Sequence, residues 1–162
     1  MSNLTIRKSR RRVDVDTLTL QALAADGRIT WAALGERLDL SAPAAAERAR
    51  RLEERGVIRG YTAVLDAAAA GFPVLAFVSV SLASQTTRKA FVAGVQRLAA
   101  VLECHHVAGD DDYLLKVRCR TMGELDALLS DELKGRLGVA RSRTTIALGT
   151  AKETSALPVG AE

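Results

Sequence analysis

Between residues 74 and 148 the spacing of apolar residues alternates between a period of two and a period near 3.6, and that order constrains the fold more than any other feature. Val74, Ala76, Val78, Val80 and Leu82 share one face of an alternating segment, with Leu75, Phe77, Ser79 and Ser81 on the other, which predicts a strand. Phe91, Val95, Leu98 and Leu102 then recur at helical spacing. A short strand is expected near 102–107, a turn at 109–112, and a strand over 113–120, where Tyr113, Leu115, Val117 and Cys119 alternate with Lys116, Arg118 and Arg120. Thr121 and Glu124 have capping-box spacing and open a helix with Leu125, Leu128, Leu129 and Leu133 inside. Residues 139–148 supply a fourth strand. The order βαββαβ is the ferredoxin-like arrangement, with helices on one sheet face only. The other face carries Leu75, Phe77 and Leu114, too apolar to stay wet, so burial against a second subunit is expected.

The first sixty residues read differently. Asp16 is the expected cap of a helix with Leu20, Leu23 and Ala24 inside, ended by Asp26-Gly27. Thr30 caps a second helix through Leu38, and Asp39 supplies a turn residue that tolerates unusual backbone angles. Ser41 caps a third helix, with Pro43 in its first turn and Ala45, Ala49 and Leu52 buried. Two short helices, a tight turn and a longer helix make a helix-turn-helix unit. Residues 57–64, two extended runs around Gly60, read as a small wing or the start of a linker strand. The stretch DAAAAG at 66–71 reads as a hinge or as one helical turn.

The fold class expected is therefore α+β. Residues 1–12 form a basic arm, 13–62 the winged helix-turn-helix domain, 63–73 a linker, 74–150 the ferredoxin-like domain and 151–162 a tail.

Charge separates the two parts. Residues 1–60 hold 12 Lys and Arg against 8 Asp and Glu, whereas 61–162 hold 11 of each. The excess positive charge thus sits in the first third of the chain, as expected of a polyanion-binding module. On the third helix Arg48, Arg51 and Arg55 are read as lying opposite the apolar stripe, with Arg50 beside them. Guanidinium forks suit both phosphate and guanine edges in a major groove. The competing reading is a solvated face laced by Glu47–Arg51 and Arg50–Glu54 pairs. The preceding capped helix and turn favour DNA. The expected DNA-contacting set is Ser41, Pro43, Ala44, Glu47, Arg48, Arg50, Arg51 and Arg55, with Arg48 reading guanine and Arg51 holding phosphate. The small tip of the third helix leaves discrimination to DNA shape, and the arm over 8–12 is expected in an A·T minor groove.

No apolar run is long enough to span a bilayer, and no apolar stretch follows the charged N-terminus, so a cytoplasmic protein is expected. Cys104 and Cys119 lack partners at metal-ligand spacing. Cys104-His105-His106 cannot converge on an extended strand, so neither a metal site nor a catalytic one is expected, and no cofactor is implied. Trp31 and Tyr61 read as packing residues.

With these residues in place, the chain resembles the Lrp/AsnC (feast/famine) family of transcriptional regulators over about residues 13–150. DGRITWAALGERLDLS (26–41), ERARRLEERGVIRGYTAVLD (47–66) and ECHHVAGDDDYLLKV (103–117) carry the resemblance. It implies a sequence-specific regulator of double-stranded DNA, a C-terminal domain that dimerises and assembles further to octamers, and an amino-acid effector bound near the loop between the second and third strands. Where the family often has Gly, an aromatic and a bulkier apolar residue, this chain has Asp39, Asp111 and Thr19.

The loop Gly109-Asp110-Asp111-Asp112-Tyr113, with Val107 as an apolar wall, is then the expected effector site. Read from the residues alone it is an acidic hairpin tip in water. With the resemblance, Asp110 or Asp112 suits an α-ammonium, and Asp111 is free for a cationic side chain, so lysine or arginine is the expected effector. The alternative is an apolar pocket with Asp111 in solvent. An enzyme on the same plan, a tetrapyrrole (sirohaem-type) decarboxylase, needs an aromatic-rich pocket that a chain with 4% aromatic residues does not supply.

Overall fold

A computed structural model describes residues 14–160. The basic arm over 1–12 lies outside the described residues. The chain divides into two compact units, one of residues 64–152 and one that joins the described part of the N-terminal region through 63 to residues 153–160.

In the first unit, three helices run over Val15–Ala25 (α1), Trp31–Leu38 (α2) and Ala42–Glu54 (α3). Asp14, not Asp16, occupies the cap position of α1, and it makes no side-chain cap bond. Asp16 lies in the first turn and its carboxylate is engaged by α3. The inner face of α1 also differs from expectation. Thr19, Ala22 and Leu23 are buried, with Val15 and Leu18 against the same core, whereas Ala24 is exposed. Thr19 is buried because its hydroxyl donates to the Val15 carbonyl at 2.7 Å, which satisfies the group without leaving the helix.

The caps of α2 and α3 form as their sequences predict. Thr30 accepts from the Ala33 N–H and Ser41 from the Ala44 N–H. Between them Asp39 adopts left-handed backbone, φ 55 and ψ 46, a conformation that short polar residues reach at lower cost than branched ones. Close approach is made possible by Gly35, where a Cβ would lie 2.6 Å from the Leu40 carbonyl oxygen. Leu34, Ala45 and Ala49 are wholly buried between α2 and α3.

No strand forms between α3 and residue 74; 59–66 run as irregular chain rather than as a β wing. Residues 66–71 take the helical-turn alternative, with the Asp66 side chain accepting from the Ala69 N–H and its carbonyl from the Ala70 N–H. At the other end of the chain, the tail packs on α1: the Gln21 amide donates to the Val159 carbonyl at 2.8 Å.

The second unit is the expected βαββαβ: β1 Val74–Leu82, α4 Arg88–Val95, β2 Val101–His106, β3 Tyr113–Cys119, α5 Met122–Ala127, a π-helical continuation Leu128–Arg136, and β4 Val139–Ile146. The sheet order is β2-β3-β1-β4, with every pairing antiparallel. The α4 helix stops before Leu98, and Leu102 belongs to β2. Ala76, Val78 and Val80 of β1 and Tyr113, Leu115, Val117 and Cys119 of β3 form one face of the core. Phe91, Val95, Leu125, Leu128 and Leu133 close it from the helical side. At α5 the Thr121 hydroxyl accepts from the Glu124 N–H, while the Glu124 carboxylate accepts from the Arg120 N–H, one residue earlier than in a standard capping box.

The helix-free face is more polar than expected. Leu75 is already buried within the chain, Leu114 is half-buried, and Phe77 is 39% exposed. Register places Lys116 and Thr145 beside Phe77, and Leu114 and Arg143 beside Ser79.

Candidate nucleic-acid interface and effector loop

The helix α3 and its C-cap residue Arg55 carry four arginines and three glutamates, and the geometry sorts them into two sets. Arg50 and Arg51 project from the exposed side. Arg50 bonds both Glu47, at 2.7 Å, and Glu54, while Arg51 bonds Glu47 at 2.9 Å. Arg50, and then Arg51, pull the Glu47 carboxyl down to about 2. Such exposed pairs open readily, because water and salt screen them, so both guanidinia remain exchangeable toward phosphate. Ser41, Pro43 and Ala44 are exposed at the tip.

Arg48 and Arg55 form the second set. They do not lie opposite the apolar stripe; they turn along its flank toward α1, where each takes one oxygen of Asp16, at 2.7 and 3.0 Å. The Arg48 side chain is 37% exposed and that of Asp16 25%. The Arg48 hydrogen bond, reinforced by Arg55 and opposed by partial desolvation, holds the Asp16 carboxyl below its usual range. Arg48, expected as a guanine reader, thus has one guanidinium nitrogen, Nη1, engaged by Asp16 within the first unit. Sequence reading missed Asp16 in this role because it had been assigned to the cap. The signal was present in the i, i+7 spacing of the two arginines, which puts both on one side of α3.

Tyr61 donates to Glu53 at 2.8 Å, and burial together with that carboxylate pushes its phenol up to about 12. Trp31, expected to pack, is 43% exposed.

In the second unit, the loop between β2 and β3 is tied down residue by residue. Asp112 donates its N–H to the Val80 carbonyl and accepts from the Leu82 N–H at 2.8 Å, while its own carbonyl accepts from Val107. Asp111 accepts from the Ser81 hydroxyl at 3.1 Å and from Arg143 at 3.2 Å, with Arg141 at 3.5 Å. Its side chain is only 11% exposed. Arg141 also donates to the Asp110 carbonyl at 3.2 Å. Gly109 has φ 144, which favours glycine, and Asp110 is exposed. Tyr113 turns into the core, its ring 4.9 Å from Phe91 and 5.2 Å from His106.

This arrangement bears directly on the expectation of a cationic effector. Two guanidinia already answer the Asp111 charge, so it does not offer a bare carboxylate to a lysine or arginine side chain. Asp112 latches the loop to β1 through one carboxylate oxygen. Ser81, Arg141 and Arg143 were missed by sequence reading. Their signal was the R-x-R alternation at 141–143, which places both arginines on the helix-free face opposite Ser81 and Ser79.

The latch makes a prediction. Asp112→Ala leaves the Leu82 N–H without its acceptor and should destabilise the second unit by about 1–3 kcal/mol, whereas Asp112→Asn keeps an oxygen there and should cost less. Urea unfolding of the two variants checks this; equal losses would contradict the latch.

Burial pushes both thiols, Cys104 and Cys119, upward, which keeps them protonated and is the reverse of what a nucleophile needs. Among the described residues no cluster of His, Cys, Asp and Glu suits a metal ion, and no helix is long and apolar enough to cross a membrane.

Comparison with known proteins agrees with both halves. Residues 14–59 match the winged helix-turn-helix DNA-binding family, and residues 75–157 match the Lrp/AsnC ligand binding domain family. The chain is 37% identical over 147 residues to the leucine-responsive regulatory proteins of Escherichia coli and Salmonella typhimurium, covering 90% of each partner. It superimposes on a Neisseria meningitidis transcriptional regulator solved with L-methionine, with TM-score 0.83 and 30% identity, over 91% of this chain and 97% of that one. A feast or famine regulatory protein from M. tuberculosis, also complexed with L-methionine, gives TM-score 0.81 at 35% identity, over 88% and 95% of the two chains. These relatives are regulators, and the decarboxylase alternative is set aside. The chain belongs to the Lrp/AsnC family of DNA-binding transcriptional regulators, non-enzymatic proteins that join a helix-turn-helix head to a ligand-binding domain.

Proposed function

We propose that the exposed side of α3 docks in the major groove of double-stranded DNA. Ser41, Pro43 and Ala44 sit at its tip, Glu47, Arg50 and Arg51 lie along it, and Arg48 and Arg55 support its flank. The observation that carries this reading is a capped helix, held close to α2 by Gly35 and Asp39, that presents exchangeable guanidinia beside a small apolar tip. Residues 13–62 form the DNA-binding part and 74–150 the effector and assembly part, joined by 63–73, in a protein that works in the cytoplasm.

The second unit dimerises through the helix-free sheet face, where Phe77 stands exposed, and the dimers assemble further, to octamers. Two linked heads then gain effective concentration on paired half-sites.

The effector is an amino acid with an uncharged side chain, bound at the loop formed by Val107, Gly109, Asp110 and Asp111 and rooted by Asp112 and Tyr113. Support comes from the neutralised Asp111 and from the two relatives whose structures contain L-methionine. A thermal-shift series with L-methionine, L-leucine and L-lysine, followed by duplex titration with each, tests this. Methionine or leucine should raise the melting temperature and alter DNA binding, with lysine inert. Stabilisation by lysine that disappears in Asp111→Asn would restore the cationic effector instead.

A further inference from the structure

The pairing of Arg48 and Arg55 with one carboxylate of α1 stands at the edge of the docking face described above. Asp16, Arg48, Arg51, Glu54 and Arg55 line a cleft of about 300 Å³. In it one carboxylate takes two guanidinia, one oxygen each, at 2.7 and 3.0 Å. That is how a backbone phosphate is gripped between two arginines, with Asp16 standing where the phosphate oxygens would be. The link joins separate helices, and Asp16 is 25% exposed against 41% for Glu47, so it opens less readily than the Glu47 pairs along α3.

We infer that Asp16 is a specificity-determining residue, an internal stand-in for phosphate that keeps Arg48 and Arg55 from gripping DNA indiscriminately. The inference rests on the reading of α3 as the DNA-docking helix. Phosphate contacts are the sequence-independent share of DNA affinity, and each one made releases counterions. With Asp16 in place, a phosphate that approaches Arg48 or Arg55 must displace a carboxylate already seated there, so the gain is only the difference between two similar anions. A non-specific duplex offers nothing else, and its affinity is held down. An operator also engages the α3 tip and depends less on these two arginines. Asp16 thereby widens the gap between specific and non-specific binding, and it holds both side chains in one rotamer against α1.

The test compares the full chain with Asp16→Asn on two short duplexes across a salt series, one selected by the wild-type protein and one of scrambled sequence. In Asp16→Asn, affinity for the scrambled duplex should rise by roughly tenfold at low salt, and the log–log salt slope should steepen by about 1 to 2, as freed guanidinia find phosphates. Affinity for the selected duplex should rise less, so the ratio falls. Asp16→Glu, which keeps the charge, should restore most of the ratio. Asp16→Asn combined with Arg48→Gln and Arg55→Gln should erase the gain; if the gain survives, Asp16 acts only as a repulsive charge and the inference is wrong. Unchanged or weaker scrambled-duplex binding in Asp16→Asn also overturns it. Should that variant fail to fold by circular dichroism, Asp16→Ser carries the same comparison. Arg51→Ala in parallel separates the two levels: if it leaves affinity and slope unchanged, the docking face itself is wrong, whereas a loss there with no effect at Asp16 defeats the inference alone.

Discussion

Phe91→Ala should destabilise the second unit by about 3–5 kcal/mol, the range for emptying a fully enclosed aromatic site. Phe91 has no exposed surface and lies in the larger of the two apolar clusters among the described residues. Its ring sits 4.9 Å from that of Tyr113, the first residue of β3, so the cavity opens beside the root of the loop between β2 and β3. Collapse around it would have to move either α4 or the root of that loop. Trp31 is the single tryptophan and belongs to the head. Tryptophan fluorescence therefore follows the head, while far-ultraviolet circular dichroism follows both units. The expected result is a large shift of the circular dichroism transition in urea with little change in the fluorescence transition. A loss below about 1 kcal/mol would mean that the site refills from its surroundings and that the packing described is wrong.

If the second unit pairs through the helix-free face as proposed, Phe77→Asp should weaken self-association by at least roughly a hundredfold, since a carboxylate would be carried into that interface. The same substitution should be mild in the single chain. Position 77 is partly exposed, so a polar side chain there stays in contact with water in the single chain. Loss of assembly without loss of fold is the signature. Sedimentation equilibrium across protein concentration, with circular dichroism as the folding control, reads both. Operator affinity should fall with assembly. A variant that assembles like the wild type would move the dimer interface away from this face.

Much of the fold is legible in the sequence because local and global signals agree. The alternation in β1 and β3, the Thr30, Ser41 and Thr121 caps, and the Asp39 turn each specify a local geometry that packing preserves. Boundaries were less legible. Leu98 and Leu102 extend a helical pattern that the chain abandons after Val95. The helix begun at Met122 passes into π geometry at Leu128, a change that periodicity does not announce. It returns to β4 through Gly138, at φ 66, where any Cβ would strike the Thr86 hydroxyl.

The sites were legible as positions but not as partnerships. The charges of α3 and the acidic loop are plain in the sequence; what engages them is not, because the partners are distant in the chain. Asp16 meets Arg48 across 32 residues, and Asp111 meets Arg143 across the same separation. Each partnership changes a functional expectation. Arg48 is paired with Asp16 across the head, and Asp111 is paired with Arg141 and Arg143.

The central claim, that this head binds DNA through the exposed arginines of α3, is tested most directly by the salt dependence of duplex binding for the wild type and Arg51→Ala. Removing one phosphate contact should weaken binding to all sequences alike and reduce the log–log slope by about 1. An Arg51→Ala protein with the affinity and the slope of the wild type would contradict the claim.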